Sequence, residues 1–277
     1  MPDPDRLLNT LRKAAGAFRD TPGRRGRLVT LQDVDDVFIA GDLHGNVANF
    51  RRLLERAQLA EHPRRHFVVQ EVIHGGARYP EGGDKSHQMV DLVAALKCQY
   101  PTRTHWLLGN HELAQWSDRL ILKADDDLNA RFRQGVTEAY GARSDEIYAA
   151  YRELFTSLPA ALRTPNRVFL SHSLPKASRL AGFDLPMIEA EGPLTPGDAL
   201  YHMVWGRDTS PDNVAEFLAR VNADLLITGH IPVPAGFSAP NGRQIILDCI
   251  GTPAGFCLFP TDRPLTHVEL MDCVGTV

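Results

Sequence analysis

The sequence predicts an α/β fold, and three observations carry that expectation. Apolar runs of three to five residues recur along the chain, and helical repeats with one apolar face alternate with them. Polar, ligand-type residues stand where the runs end. With 277 residues, 43% of them hydrophobic, the chain is long enough to bury a substantial core. Candidate site residues extend from Asp42 to His230 and must converge on one place, so residues 1–277 are expected to form a single domain with insertions.

Leu7, Leu8, Leu11, Ala14, Ala15 and Phe18 recur at helical spacing, predicting an amphipathic helix over about 5–20. Gly23-Arg24-Arg25-Gly26-Arg27 reads as a solvated loop. Val37 to Ala40 is a buried strand running into Gly41-Asp42-Leu43-His44-Gly45-Asn46. The face made by Val47, Phe50, Leu53, Leu54 and Ala57 predicts a helix over 46–59. A strand from His66 to Val69 ends at Glu71, and a Gly/Pro-rich loop leads to a helix from about Ser86 to Lys97. Thr104 to Leu108 is a third strand, ending in Gly109-Asn110-His111-Glu112.

Residues 113–158 read as a helical insertion. Asp125-Asp126-Asp127 charges the start of a helix over Leu128 to Gly135, where carboxylates favour the helix dipole. Ser144 is expected to cap a helix over Asp145 to Leu158. Val168 to Leu170 delivers His172. The stretch of about 175–205 is rich in Pro and Gly and reads as a surface excursion. Ser210-Pro211 opens a helix through Val221, Leu225 to Ile227 delivers His230, and strands over Gln244 to Ile250 and Gly255 to Phe259 close the chain.

A formal net charge of −4 gives no electrostatic reason for nucleic acid or a membrane to be the main partner. The N-terminus shows no signal-peptide pattern, and the apolar runs are too short to span a bilayer. Four cysteines without C-x-x-C spacing fit structural thiols in a reduced, cytoplasmic setting.

Asp42 and His44 place an oxygen and a nitrogen ligand two residues apart, close enough to share one metal. Asn110 and His111 offer an amide oxygen beside an imidazole, and His172 and His230 add two nitrogens. A lone His at a strand end is more often structural. Ligand-type residues at four strand ends in one chain shift that balance toward a metal site. Mixed O/N ligation suits Mn²⁺ first, with Fe or Zn²⁺ as alternatives, rather than Ca²⁺.

On these motifs the chain resembles the calcineurin-like metallophosphoesterases, in the branch that holds the Ser/Thr phosphoprotein phosphatases and the bacterial diadenosine tetraphosphatases. Their pattern is GDxHG, GDxxDRG, GNHE, a His in an HGG-like turn, and GH; Asp42, His44, Asn110, His111, Glu112, His172 and His230 match it by position. The resemblance covers about Val34 to Phe259 and implies a central β-sandwich flanked by α-helices in four layers, with two divalent metals at one edge. It implies that Asp42 and His44 hold one metal, that Asn110, His172 and His230 hold the other, that Glu71 bridges them, and that His111 is the general acid. Asp248 has a counterpart in the tetraphosphatase branch and would support the ligands from behind, as would Glu112.

The second motif departs from the pattern. Gln70-Glu71-Val72-Ile73-His74-Gly75-Gly76 stands for GDxxDRG, so Glu71 replaces a bridging Asp, His74 replaces the Asp that orients the catalytic His, and Gly75 replaces the phosphate-gripping Arg. Asp84 is a candidate for the missing carboxylate, and Arg207, then Arg78, for the missing cation, alongside Asn110. The expected activity is a metal-dependent phosphomonoesterase of phosphoprotein-phosphatase type acting on a phosphoprotein or a small phosphoester. The alternatives are a dinucleoside polyphosphate hydrolase and a metal-binding protein with little turnover.

Overall fold

The computed structural model describes residues 3–124, 126–190, 192, 194–195 and 198–277. Side-chain alternation along the strands explains why two sheets stack. In strand Asp36–Asp42, Val37 and Ile39 enter one apolar cluster, while Phe38 and Ala40 enter another. The first cluster also takes Val68, Leu170, Ile227 and Leu247, drawn from both sheets, and so forms the layer between them. The second holds Phe67, Trp106 and Phe169 together with helix side chains. Strands buried on both faces need apolar residues at nearly every position, which is why they appear as unbroken runs.

Among the described residues, one sheet has five strands, ordered Val274–Thr276, Gly255–Pro260, Asp36–Asp42, Arg65–Gln70 and Thr104–Leu107. The last three are parallel, so their carboxyl ends and the residues that follow emerge on one edge. The other sheet has seven strands, ordered Arg24–Arg25, Leu28–Thr30, Ala161–Arg163, Val168–Ser171, Leu225–Thr228, Gln244–Leu247 and Phe237–Asn241. Val168–Ser171, Leu225–Thr228 and Gln244–Leu247 run parallel and end in His172, Gly229-His230 and Asp248.

Helices cover both outer faces. Trp106 packs edge-on against Phe155 of helix Ser144–Thr156, and Phe67 against Phe50 of helix Val47–Ala57. On the opposite side Phe217 of helix Pro211–Arg220 meets Phe169 at 5.6 Å between ring centroids. Each such buried aromatic contributes about 1.5–3 kcal/mol. The result is the α/β sandwich with flanking helices that the motifs imply.

Several local expectations are corrected. The excursion at 175–205 is exposed along 176–179 but anchored on an apolar floor in its described part: Leu180, Phe183, Ile188, Leu200, Tyr201 and Met203 are buried, and the Phe183 ring lies tilted against Phe217 at 5.6 Å. Its Pro and Gly shape exposed turns over that floor. Arg24 and Arg27 are not solvated either, since Arg24 donates to the Phe18 and Gly26 carbonyls and Arg27 to the Leu158 carbonyl. Ser144 begins helix Ser144–Thr156 without capping it, and the Ser210 hydroxyl bonds Asp208 instead of the helix end. Helix Leu128–Tyr140 runs past Gly135 because Val136, Ala139 and Tyr140 continue its buried face. Asp127 does cap that helix, accepting from the Ala130 N–H, whereas Asp126 pairs with Arg78 and Arg131; Asp125 lies outside the described residues. Among the described residues no helix is long and apolar enough to cross a membrane.

Candidate active site

The carboxyl edges of the two sheets meet at a cavity of about 860 Å³ lined by Asp42, His44, Glu71, His74, Asn110, His111, Arg207 and His230. Four of these residues have left-handed backbone: His44 (φ 41°), Glu71 (φ 46°), His74 (φ 65°) and His230 (φ 65°). Such conformations cost L-residues about 1–2 kcal/mol each and turn the chain sharply as it leaves a strand, which throws these side chains into the cavity. Glycines beside them admit close approach. A Cβ on Gly229 would lie 2.0 Å from Asp42 Oδ1, and one on Gly109 would lie 2.8 Å from Glu71 Oε1.

Glu71 is central. Its carboxylate lies 2.5 Å from His172 Nε2 through one oxygen and accepts the His111 backbone N–H at 2.9 Å through the other. Two clusters have ligand atoms within 4.8 Å of one another, His44–Glu71–His111 and Glu71–His172–His230, and Glu71 belongs to both. Asn110 Oδ1 stands 2.9 Å from His172 Nε2. Asp42 accepts the His230 backbone N–H at 2.7 Å through Oδ2, but its buried Oδ1 has no hydrogen-bond partner among the described residues.

The electrostatics show the same demand for positive charge. Burial pushes the Asp42 carboxyl up, and the neighbouring Glu71 charge adds to this despite His172. Burial likewise raises Glu112, again with Glu71 contributing. Burial alone would lower His172, but the Glu71 and Asp42 carboxylates outweigh it and raise the imidazole to about 9. An orphaned carboxylate oxygen, clustered buried carboxylates and convergent His nitrogens form a donor set that a divalent cation fits. These groups could hold metal.

Supporting contacts fix the edge. Glu112 accepts from the Val72 and Ile73 N–H groups through Oε1 and from Gly109 through Oε2, tying the Glu71 turn to helix Asn110–Ser117. Asp248 accepts from Val233 and Ile250 at 2.7 and 2.8 Å, bracing the loop after His230. Gln70, which no sequence motif singles out, has Oε1 3.2 Å from His172 Nδ1. Such an acceptor leaves His172 Nε2 as the ring atom facing Asn110 and Glu71.

Residues 36–234 match the sequence profile of the calcineurin-like phosphoesterases. The chain belongs to the calcineurin-like phosphoesterase family. A relative in Encephalitozoon cuniculi named "Probable serine/threonine-protein phosphatase" is 24% identical over 238 residues. The match covers 79% of this chain and 47% of the relative, so the chain spans about half the length of that curated protein. Among solved structures, a protein serine/threonine phosphatase from Saccharomyces cerevisiae with similarity to human phosphatase PP5 superposes with a TM-score of 0.73 at 16% identity, covering 99% of this chain and 90% of that one. A cold-active protein-tyrosine phosphatase from a psychrophilic Shewanella species gives 0.61 at 13% identity, covering 87% and 78%. At these identities the superpositions speak for the fold.

Within this family's fold the altered second motif has a definite geometry. His74 Nδ1 lies 2.8 Å from His111 Nδ1, so an imidazole does meet His111 where the family pattern has a carboxylate. Burial lowers His74 to about 4 and holds His111 well below its usual range. Asp84 does not take the carboxylate's place: it accepts from the Gly75 and Ser86 N–H groups, and burial raises it to about 6. Its side chain is committed to the turn, so among the described hydrogen bonds it makes none to His111. Arg78 is also drawn away, by Asp126 at 2.6 Å, and lines a smaller cavity behind His74 that it shares with Asp84. Arg207 stands on the main cavity wall with Nε 3.2 Å from His230 Nε2. Lys85, outside every motif, lines the same cavity with its ammonium over the Tyr79 ring.

Of the histidines outside the motifs, His66 and His105 pair at 2.9 Å in the core and His87 is buried beside Tyr79.

Proposed function

We propose that this chain is a dinuclear-metal phosphoester hydrolase, a phosphomonoesterase of Ser/Thr phosphoprotein-phosphatase type. The observation that carries the reading is the membership of Glu71 in both ligand clusters. Asp42 and His44 would hold one cation, Asn110, His172 and His230 the other, and Glu71 both, with Mn²⁺ as the first candidate. Bound metals of this kind supply Lewis acidity toward phosphoryl oxygens and make water a nucleophile at neutral pH.

The chain's own residues do the rest. Arg207 and Asn110 face the cavity where a phosphoryl group would sit. His111, held through Nδ1 by His74, presents Nε2 to the leaving oxygen. A water oxygen adds to phosphorus on the face opposite the ester oxygen and the ester P–O bond breaks. The leaving oxygen takes the Nε2 proton of a His111 imidazolium, which leaves a neutral ring whose remaining N–H stays on His74, and the proton that water loses restores His111 Nε2. Such positioned proton transfer is worth about 10²–10⁴-fold. The name of the Encephalitozoon relative, a probable serine/threonine-protein phosphatase, supports the phosphoprotein-phosphatase reading over dinucleoside polyphosphate cleavage.

The test is p-nitrophenyl phosphate hydrolysis by chelator-stripped protein titrated with Mn²⁺. The expected result is activity that rises with metal and disappears in His111→Ala while metal stays bound. Bound metal without turnover of p-nitrophenyl phosphate, a phosphopeptide or diadenosine tetraphosphate would overturn it. That outcome would instead support a metal-binding protein with little turnover, the reading that His74 in the second motif favours.

A further inference from the structure

The His74–His111 contact leaves one question of chemistry open: which ring nitrogens carry the protons. Gln115 answers it. This residue lies four positions after His111 on helix Asn110–Ser117, on the same face, and is 1% exposed. Its Oε1 sits 2.6 Å from His74 Nε2, and its Nε2 sits 2.7 Å from the Tyr148 hydroxyl and 3.4 Å from the Asn129 carbonyl. A backbone carbonyl only accepts, so the amide nitrogen belongs on the Asn129 side and the oxygen on the His74 side. An amide oxygen also only accepts, so His74 Nε2 carries a hydrogen.

His74 is buried, and among the described residues no carboxylate is hydrogen-bonded to either of its ring nitrogens, an environment that favours the neutral ring. A neutral ring protonated at Nε2 has its lone pair at Nδ1. That lone pair faces His111 Nδ1 at 2.8 Å, so His111 donates from Nδ1 and keeps Nε2 for the cavity. We propose that Gln115 is a positioning residue that, through His74, sets the tautomer and ring orientation of His111. The chain Asn129–Gln115–His74–His111 would then orient His111 with neutral dipoles where the family pattern has one carboxylate. This inference rests on the reading of His111 as proton donor, but its first test does not.

The first test is ¹⁵N-histidine NMR on the metal-free protein. Expected are a protonated Nε2 on His74 and a protonated Nδ1 on His111, with mixed tautomers on His74 in Gln115→Leu and the native pattern in Gln115→Glu. An unchanged His74 tautomer in folded Gln115→Leu would overturn the proposal, whatever the enzyme does. The second test is kinetic, on Mn²⁺-loaded protein with p-nitrophenyl phosphate. Gln115→Leu is expected to lower kcat by roughly 10–100-fold with KM and metal content unchanged, and Gln115→Glu to recover most of it. In a His74→Asp background, where a carboxylate meets His111 directly, Gln115→Leu should cost less than about threefold. An equal loss in both backgrounds would show that Gln115 supports the helix and not the tautomer. Wild-type protein that binds Mn²⁺ without turnover would sink the hydrolase reading and leave the NMR result to decide this one.

Discussion

Asp42 and Asp248 face each other across an isolated parallel bridge that joins the end of strand Asp36–Asp42 to the end of strand Gln244–Leu247. The two strands belong to different sheets, and the Cys249 N–H closes the junction by donating to the Asp42 carbonyl at 2.9 Å. The sandwich is therefore pinched shut at the edge where the candidate ligands gather.

The pinch depends on Gly41. A Cβ there would lie 2.3 Å from the Leu247 and Asp248 backbone, with no flexible side chain to give way. Gly41→Ala is expected to destabilise the protein by more than about 3 kcal/mol and to displace Asp42. Urea unfolding and circular dichroism check the first effect, and metal analysis of the folded fraction checks the second. Native stability in Gly41→Ala would show that the sheets are held together elsewhere.

The shared position of Glu71 makes a stoichiometric prediction. Glu71→Ala should lower bound Mn²⁺ at both sites, leaving well under one equivalent per chain by metal analysis after gel filtration. Full occupancy in that variant would end the assignment of Glu71 as the bridging ligand.

The arginines can be told apart by kinetics. Arg207 lines the cavity beside His230, so Arg207→Ala should raise KM for p-nitrophenyl phosphate about tenfold, a loss of roughly 1.4 kcal/mol. Arg78 is half exposed and paired with Asp126, and an ion pair of that kind is worth about 0–1 kcal/mol. Arg78→Ala should stay within about threefold of wild type in kcat/KM. The reverse ranking would return Arg78 to the phosphate site.

Lys97 sets a pH dependence away from the site. It is fully buried, donates to the Thr21 hydroxyl and the Thr104 carbonyl, and lies over the Phe18 ring. Burial lowers its pKa to about 7, with Arg24 adding to the effect. Between that value and the unfolded value of about 10.4, the unfolded chain holds a proton that the folded chain has lost. Stability from this group therefore rises with pH across the window, and below about pH 7 the cost of burying the charge is borne in full. Urea unfolding from pH 7 to 10 should show a rise in wild type that is flattened in Lys97→Met. Parallel profiles for the two proteins would refute the assignment.

Much of this was legible in the sequence for a physical reason. Asp42, His44, Asn110, His111, His172 and His230 each follow an apolar run, and parallel strands must bring such ends to one edge. What escaped was whatever depends on packing rather than on chain order. Gln70 and Gln115 are amides, and only their neighbours decide which atom they offer. Gln115 nonetheless had a signal, since it falls one helical turn after His111. Arg78 and Asp84 were candidates by proximity in sequence, but Asp126 and the Gly75–Ser86 turn compete for them more closely than the cavity does. The buried floor of 175–205 was hidden because Pro and Gly interrupt the periodicity by which a buried face is recognised.

The left-handed backbone at His44, Glu71, His74 and His230 has an evolutionary corollary. Glycine would adopt those angles without the steric cost that the present residues carry, so selection for thermal robustness alone would favour erasing the side chains that crowd this edge. The most durable variant of this protein and the most capable one are therefore different sequences, and the four strained positions mark where they diverge.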